Sequence, residues 1–261
     1  LGLIQRTKTI RNVIDFDIFN SKENTENKIP KFLHISNLTF QKNCDGILNV
    51  AERLWKNKYI FELHIGGNGD LSTFYSYKKR SDFTDKLFLF GALSQEEVAA
   101  KMNEVNIFIL FSRFENQPCV QIESFACGLP VLASDVGGIS EIFPIGFGEI
   151  ITSENEEELY QSLKNILENK VHFKSKNEIQ LFAKENFSMQ KIANDFDEIY
   201  VNDARLDINK KTKHYSYTLS LDNKNLNKWE NKYQIFTKKN KEEKKLAEEF
   251  IVIFEEDSKK L

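Results

Sequence analysis

The sequence predicts an α/β protein: a parallel sheet with helices on both faces. Three observations carry this. Short apolar runs alternate along the chain with segments whose apolar residues recur at helical spacing. The runs end on glycine, asparagine, aspartate or serine, the residues that turn a chain at a strand end. And runs such as Ile107 to Phe111 are apolar without interruption, the pattern of a strand buried on both faces.

Taken in order, Lys31 to Ser36 reads as the first strand, with a turn at Lys42-Asn43. The helix Asp45 to Lys56 follows, placing Ile47, Leu48, Ala51 and Leu54 on one face. A second strand, Tyr59 to Ile65, meets the turn Gly66-Gly67-Asn68-Gly69-Asp70, and a helical segment runs on to about Arg80. The third strand, Lys86 to Phe90, ends at Gly91-Ala92. Ser94 with Glu97 then forms a capping box for a helix through Asn103, the serine accepting from the helix N–H groups and the glutamate reaching back. The strand Asn106 to Phe111 leads into a loop and helix ending near Cys127-Gly128. Two more strands, Val131 to Ser134 and Glu149 to Thr152, complete the sheet. Glu154 to Leu167, Lys174 to Glu185 and Ser188 to Val201 read as helices, the last with Ile192, Phe196, Ile199 and Tyr200 on one stripe.

Composition narrows the function. With 261 residues, 41% hydrophobic and 29% charged, the chain can bury a sizeable core. A net charge of -3, with aromatics inside the strand and helix patterns, gives no nucleic-acid footprint. The apolar runs are too short to span a bilayer, and no leader pattern opens the chain, so the cytoplasm is the expected location. Cys44, Cys119 and Cys127 form no metal-ligand spacing with the four histidines, and an odd count argues against a disulfide framework. All three are expected to be buried or half-buried. No metal site is expected, and His34 and His64 fall inside strand patterns as core residues.

The chemistry concentrates at Glu115-Asn116-Gln117-Pro118-Cys119-Val120-Gln121-Ile122-Glu123. Two carboxylates stand at the seam between a buried strand and a helix. That places them at the carboxyl edge of the sheet, where open α/β folds bind ligands and a helix points free N–H groups at an anion. Glu115 in the loop can accept hydrogen bonds from sugar hydroxyls. Glu123, about two turns into the helix, can accept a pair from a ribose. Downstream the chain reads Cys127-Gly128-Leu129-Pro130-Val131 and then Asp135-Val136-Gly137-Gly138-Ile139-Ser140-Glu141. This order, Glu-x7-Glu followed by Cys-Gly-x-Pro-Val and Asp-Val-Gly-Gly-x-x-Glu, resembles the donor-binding half of the family 4 retaining glycosyltransferases.

The resemblance implies a Rossmann-like parallel sheet with helices on both faces, the C-terminal half of the B-type two-domain glycosyltransferase fold. It divides the chain into an interdomain linker and domain entry over 1–30, a nucleotide-sugar-binding domain over 31–203, and an appendage over 204–261. Thr9 to Phe19 is similar to the linker that follows the N-terminal, acceptor-binding domain, so that domain is expected as a missing partner. Ser36 to Asn43 aligns with the family's Gly-Arg-Leu-x-x-x-Lys-Gly loop. Lys42 keeps the lysine that would neutralise the departing diphosphate. Asn37 replaces the arginine, removing a charge and a guanidinium fork from the phosphate clamp. Asn116 to Val120 would line the sugar and phosphates, although Pro118 has no N–H to give. Phe90, Gly91 and Ala92 would flank the nucleobase, and Gly67 belongs to a turn near the donor. Gly137, Gly138 and Glu141 would shape the substrate side.

The implied reaction passes sugar from a nucleotide diphosphate sugar to an acceptor hydroxyl with retention, by front-face attack. Glu115 would orient the sugar and Lys42 serve the leaving group, without metal or other cofactor. The implied partners are the nucleotide sugar and an acceptor glycan or lipid-linked saccharide, in the cytoplasm or at the inner face of a membrane. A nucleotide-sugar-binding module, or an epimerase-like enzyme without transferase activity, is the alternative. A dinucleotide site at Gly67-Asn68-Gly69 is rejected, because Ser72 holds the third glycine position.

Arg205 to Leu261 has no counterpart in the resemblance. It carries 14 Lys and Arg against 10 Asp and Glu, net +4. A strand over Tyr215 to Leu221 and a helix over Lys241 to Phe254 are expected in a docked appendage. A membrane-surface role is the lesser alternative, since the charges are mixed rather than uniformly basic.

Overall fold

The computed structural model describes residues 9–22, 28–80 and 82–208, with backbone only at 80 and 200–208. By internal contacts the chain divides into Leu1–Leu206 and Asp207–Leu261. The strand and helix expected beyond Arg205 lie outside the described residues.

Six parallel strands form one sheet in the order β3-β2-β1-β4-β5-β6. They are β1 (Lys31–Ile35), β2 (Glu62–Gly66), β3 (Leu87–Phe90), β4 (Ile107–Leu110), β5 (Val131–Ser134) and β6 (Gly148–Ile151). The helices, in chain order, are α1 (Cys44–Lys56), α2 (Ser72–Arg80), α3 (Gln95–Asn103), α4 (Cys119–Ala126), α5 (Glu156–Leu167), α6 (Lys176–Phe187) and α7 (Met189–Ile208). The chain winds outward from β1 to β3, returns to β4 beside β1, and winds outward again the other way. The reversal leaves β1 and β4 as neighbours whose following loops leave in opposite directions.

Alternation within the strands supplies two cores. Leu33, Phe108, Leu110, Val131 and Ala133 face one side, with Ile122, Phe125, Ile179 and Ala183 from α4 and α6. Phe32, Leu63, Ile65, Ile107, Ile109 and Leu132 face the other, with Ile47, Leu54, Leu159 and Leu163 from α1 and α5. The predicted face of α1 is buried as expected, and Val50 and Trp55 join it. The capping box at Ser94 and Glu97 is formed, and a second one at Ser175 and Glu178 starts α6.

Three expectations are corrected. The second strand begins at Glu62, not Tyr59. Lys58 turns left-handed at φ 69, and the Tyr59 N–H returns to the Leu54 carbonyl at 3.1 Å. Residues up to Tyr59 therefore still terminate α1, as a helix-ending motif does. The stripe expected along the last helix does not share one environment: Ile192 is buried, whereas Phe196 is 45% exposed. Cys119 is exposed, unlike Cys44 and Cys127, because it opens α4 at the sheet edge.

On the α4 side a relay of edge-to-face aromatic contacts joins three elements. Phe125 meets Phe143 at 5.7 Å and Phe147 at 5.4 Å, and Phe147 meets Phe182 of α6 at 5.2 Å. Ahead of the sheet, Ile14 pairs with Ser188 and donates its N–H to the Phe187 carbonyl at 2.9 Å. Phe125→Ala should lower the unfolding free energy by about 3 to 5 kcal/mol, the usual range for a buried phenylalanine. Urea denaturation followed by circular dichroism checks this, and a loss under about 1 kcal/mol would mean that the ring does not anchor α4.

Candidate functional site

The carboxyl ends of β1 and β4 define the site. Their ladder registers only Phe32 with Ile107 and Leu33 with Phe108, while β1 and β2 stay paired over all five positions. Past those two pairs the strands part, and the loops that follow line the opening.

After β1, the chain passes left-handed at Leu38 (φ 55) and Asn43 (φ 50), on either side of a short 3-10 turn over Phe40–Lys42. After β4, Ser112 to Pro118 leads into α4. The two loops are tied together: the Arg113 N–H donates to the Gln41 carbonyl at 2.8 Å, and Gln41 Nε2 donates to the Phe114 carbonyl at 2.8 Å. The Arg113 guanidinium lies over the Phe40 ring, 4.0 Å from its centre, and its Nε reaches Glu154 at 2.6 Å.

Two of the predicted residues meet as a result. Lys42 Nζ stands 2.5 Å from Glu115 Oε1, with side-chain exposures of only 15% and 6%. The same carboxylate oxygen accepts from Ser112 Oγ at 2.8 Å. An ammonium carries three donors, so Lys42 can hold Glu115 and still reach a phosphate oxygen.

Glu123 stands about one turn into α4, not two, because the helix starts at Cys119. Its carboxylate has no hydrogen-bond or ion-pair partner among the described residues. Burial raises its pKa from 4.5 to about 7. Pro118 caps α4 without a side-chain bond, so the first N–H groups of the helix are not satisfied by a cap.

The turn after β5 closes the site from the other side. Gly137 sits at φ +57, and a Cβ there would overlap the Glu115 carbonyl oxygen. The Gly138 N–H donates to the Asn116 carbonyl at 2.7 Å. Gly67, at φ +129, packs so tightly on the Ser36 carbonyl that only glycine fits. It therefore shapes the loop wall, which is the structural use of that turn. Asn37 is exposed, and its Oδ1 accepts from Thr39 Oγ1 at 3.0 Å. Phe90 is half-buried, with Lys101 over its ring at 5.7 Å, while Gly91 and Ala92 are exposed at the end of β3. Val120 packs on the core, and Glu141 is exposed.

Sequence reasoning did not single out Ser112, Asn12 or Gln121. Asn12 donates its main-chain N–H to Gln117 Oε1 at 2.9 Å and its Nδ2 to the Gln117 carbonyl at 3.2 Å and to Cys119 Sγ at 3.5 Å. Gln121 is fully buried and donates to the Ile139 carbonyl at 3.1 Å, pinning the glycine turn to α4. A serine three residues before a strand-end glutamate was a readable signal. The Asn12 contact spans 105 positions and had none.

Residues 15–212 match the family described as glycosyl transferases group 1, and the chain belongs to that family. It is 23% identical over 206 residues to an uncharacterized 41.2 kDa protein in the cps region of Klebsiella pneumoniae, covering 75% of this chain and 55% of that protein. It is 22% identical over 214 residues to N-acetyl-alpha-D-glucosaminyl L-malate synthase of Bacillus anthracis, covering 78% and 56%. Among solved structures, sucrose-phosphate synthase from Thermosynechococcus elongatus superposes with a TM-score of 0.66 at 18% identity, covering 77% and 53% of the two chains. The Anabaena protein HepE in complex with UDP superposes at 0.64 with 16% identity, covering 75% and 57%. The fold is therefore the Rossmann-like fold of the B-type glycosyltransferases. The chain spans about half the length of the curated relatives it matches. Among the described residues no helix is long and apolar enough to cross a membrane.

Lys42→Ala should cost about 3 kcal/mol of stability by stranding the buried Glu115 carboxylate, and adding Glu115→Ala should recover part of that loss. Denaturant midpoints of the two single variants and the double variant measure the coupling, and strict additivity would show that the pair is not an energetic unit. For Glu123, the folded protein holds a proton that the unfolded chain releases between pH 4.5 and 7. Its contribution to stability is thus lost as pH rises through that window. Glu123→Gln should match the wild type near pH 4 and exceed it above pH 7, by at most about 3 kcal/mol. Parallel stability curves across this range would contradict the buried, unpaired carboxylate.

Proposed function

We propose that this chain is the donor-binding domain of a retaining glycosyltransferase of the family 4 type, which takes a nucleotide diphosphate sugar. The observation that carries the reading is the Lys42–Glu115 pair at the point where the sheet reverses. It lies where open α/β sheets bind ligands, on the loop that leads into α4 and Glu123. The UDP present in the Anabaena structure supports a nucleoside diphosphate as the ligand class.

In this reading the diphosphate lies between Lys42 and the N-terminus of α4, where the ammonium and the helix dipole offset its charge. Asn116 to Val120 form the floor, and Glu123 accepts two ribose hydroxyls. Phe90, Gly91 and Ala92 border the base. Glu115 accepts from the sugar hydroxyls and fixes the ring while the bond from the anomeric carbon to the phosphate oxygen breaks. The acceptor hydroxyl, on a glycan or a lipid-linked saccharide, bonds to that carbon on the same face, and its proton passes to the departing diphosphate. Negative charge on the leaving group grows along this path, so Lys42 acts most strongly in the transition state. No metal is needed for that role. The acceptor surface and the complete activity belong to the longer proteins of which this chain would be the donor half.

Glu123 gives the reading a pH signature. A carboxylate accepts two hydroxyl protons and a neutral carboxyl does not do so equally, so nucleotide affinity should rise as Glu123 ionises around pH 7. Titrating UDP, GDP and ADP by calorimetry at pH 6 and pH 8 should show roughly tenfold tighter binding at the higher pH for the preferred nucleotide. Glu123→Gln should flatten this dependence; the phosphate's own titration is common to both proteins and cancels. Failure of all three nucleotides to bind would refute the donor-domain reading, and equal pH profiles would remove Glu123 from the ribose.

A further inference from the structure

We propose that the buried His34 is a positioning residue: it bridges the parted ends of β1 and β4 and, through Ser36, sets where the Lys42 ammonium stands. His34 is fully buried one position past the last registered pair of the β1–β4 ladder. Its Nδ1 lies 2.8 Å from the Ile109 carbonyl of β4, and its Nε2 lies 2.8 Å from Ser36 Oγ. A carbonyl only accepts, so Nδ1 carries the proton. Burial holds the ring neutral, with its pKa lowered to about 4, which leaves Nε2 as an acceptor.

Nε2 has one lone pair for two hydroxyl- or thiol-bearing neighbours, and the nearer of them, Ser36 Oγ at 2.8 Å against Cys44 Sγ at 3.2 Å, is taken as its donor. Ser36 Oγ–H donates to His34 Nε2, and Ser36 Oγ accepts the Leu38 N–H at 3.0 Å. Cys44, at the start of α1, closes the cluster with its sulfur 3.2 Å from Nε2. Burial raises its thiol to about 11, so no charge is carried there either. Leu38 is the residue that turns left-handed and launches the 3-10 turn ending at Lys42. A hydrogen-bonded series therefore runs from β4, which continues to Ser112 and Glu115, through the imidazole to the loop that carries Lys42. It crosses the gap where the main chains no longer pair. A core histidine serving only as filler would not need to bond both strands at the site's floor.

The inference rests on the donor-site reading for its effect on ligand, but not for its effect on Lys42 itself, and the experiment separates the two. Ser36→Ala cuts the series while keeping the imidazole. His34→Asn keeps a donor near the Nδ1 position and loses the reach to Ser36. In the 261-residue protein, each should weaken the preferred nucleotide among UDP, GDP and ADP roughly tenfold, as for one charge-assisted hydrogen bond. The matching nucleoside, which lacks phosphates, should bind unchanged, and neither substitution should weaken the nucleotide further in a Lys42→Ala background. Equal losses for nucleotide and nucleoside, or losses that persist without Lys42, would overturn the proposal in favour of general damage. Lysine-labelled NMR of the ligand-free protein gives the independent arm. The Lys42 side-chain resonance, identified by its absence from Lys42→Ala, should shift in both variants toward its position in Glu115→Gln. An unmoved Lys42 resonance overturns the proposal whether or not any nucleotide binds, whereas a shifted resonance without nucleotide binding supports it and sinks only the donor-site reading.

Discussion

A lysine and a glutamate held together in a nearly closed crevice are expensive to desolvate, and most of the local structure can be understood as what makes that contact tenable. Glu115 receives a second donor from Ser112, so its buried oxygen is not left to the ammonium alone. The loops bearing the two residues are cross-tied through Gln41, Phe114 and Arg113, which fixes the two stretches of main chain relative to each other. The strands beneath have separated by this point, so that the pair stands over a gap in the sheet rather than on a continuous ladder.

Close approach of main chains does the rest. At Gly67 and Gly137 the neighbouring carbonyls of Ser36 and Glu115 occupy the volume a side chain would need, and both glycines adopt positive φ. The loops after β1, β2, β4 and β5 therefore pack as backbone against backbone. This leaves few degrees of freedom in the positions of Lys42 and Glu115. Glu123 shows the opposite balance: burial raises its pKa with no hydrogen-bond or ion-pair partner among the described residues to offset the cost.

The segment ahead of the sheet is part of the same construction. Asn12 grips Gln117 at the entrance of α4, and Ile14 pairs with Ser188 at the start of α7. Arg11 adds a bond to Asn186 and lies over the Phe187 ring. The segment thus ties the start of α4 to the junction of α6 and α7.

The sequence by itself determined the strand and helix order, because period-two and period-3.6 patterns, turn residues and capping boxes are local signals that each element carries within itself. It also placed the two glutamates beside the seam between strand and helix, since that string carries both patterns within it, whereas Lys42 was singled out only by the resemblance of Ser36 to Asn43 to the family's loop. What it misjudged was local geometry overruled by context: the start of β2 was delayed by the left-handed ending of α1 at Lys58, and Glu123 lay nearer the helix start than its spacing from Glu115 suggested. Only the tertiary structure decided that Lys42 and Glu115 touch across 73 positions, that Asn12 supports the site, and that His34 spans the parted strands. Such contacts, and the ionisation they govern, depend on which distant groups share a dry space, and no local pattern in a chain records its neighbours in space.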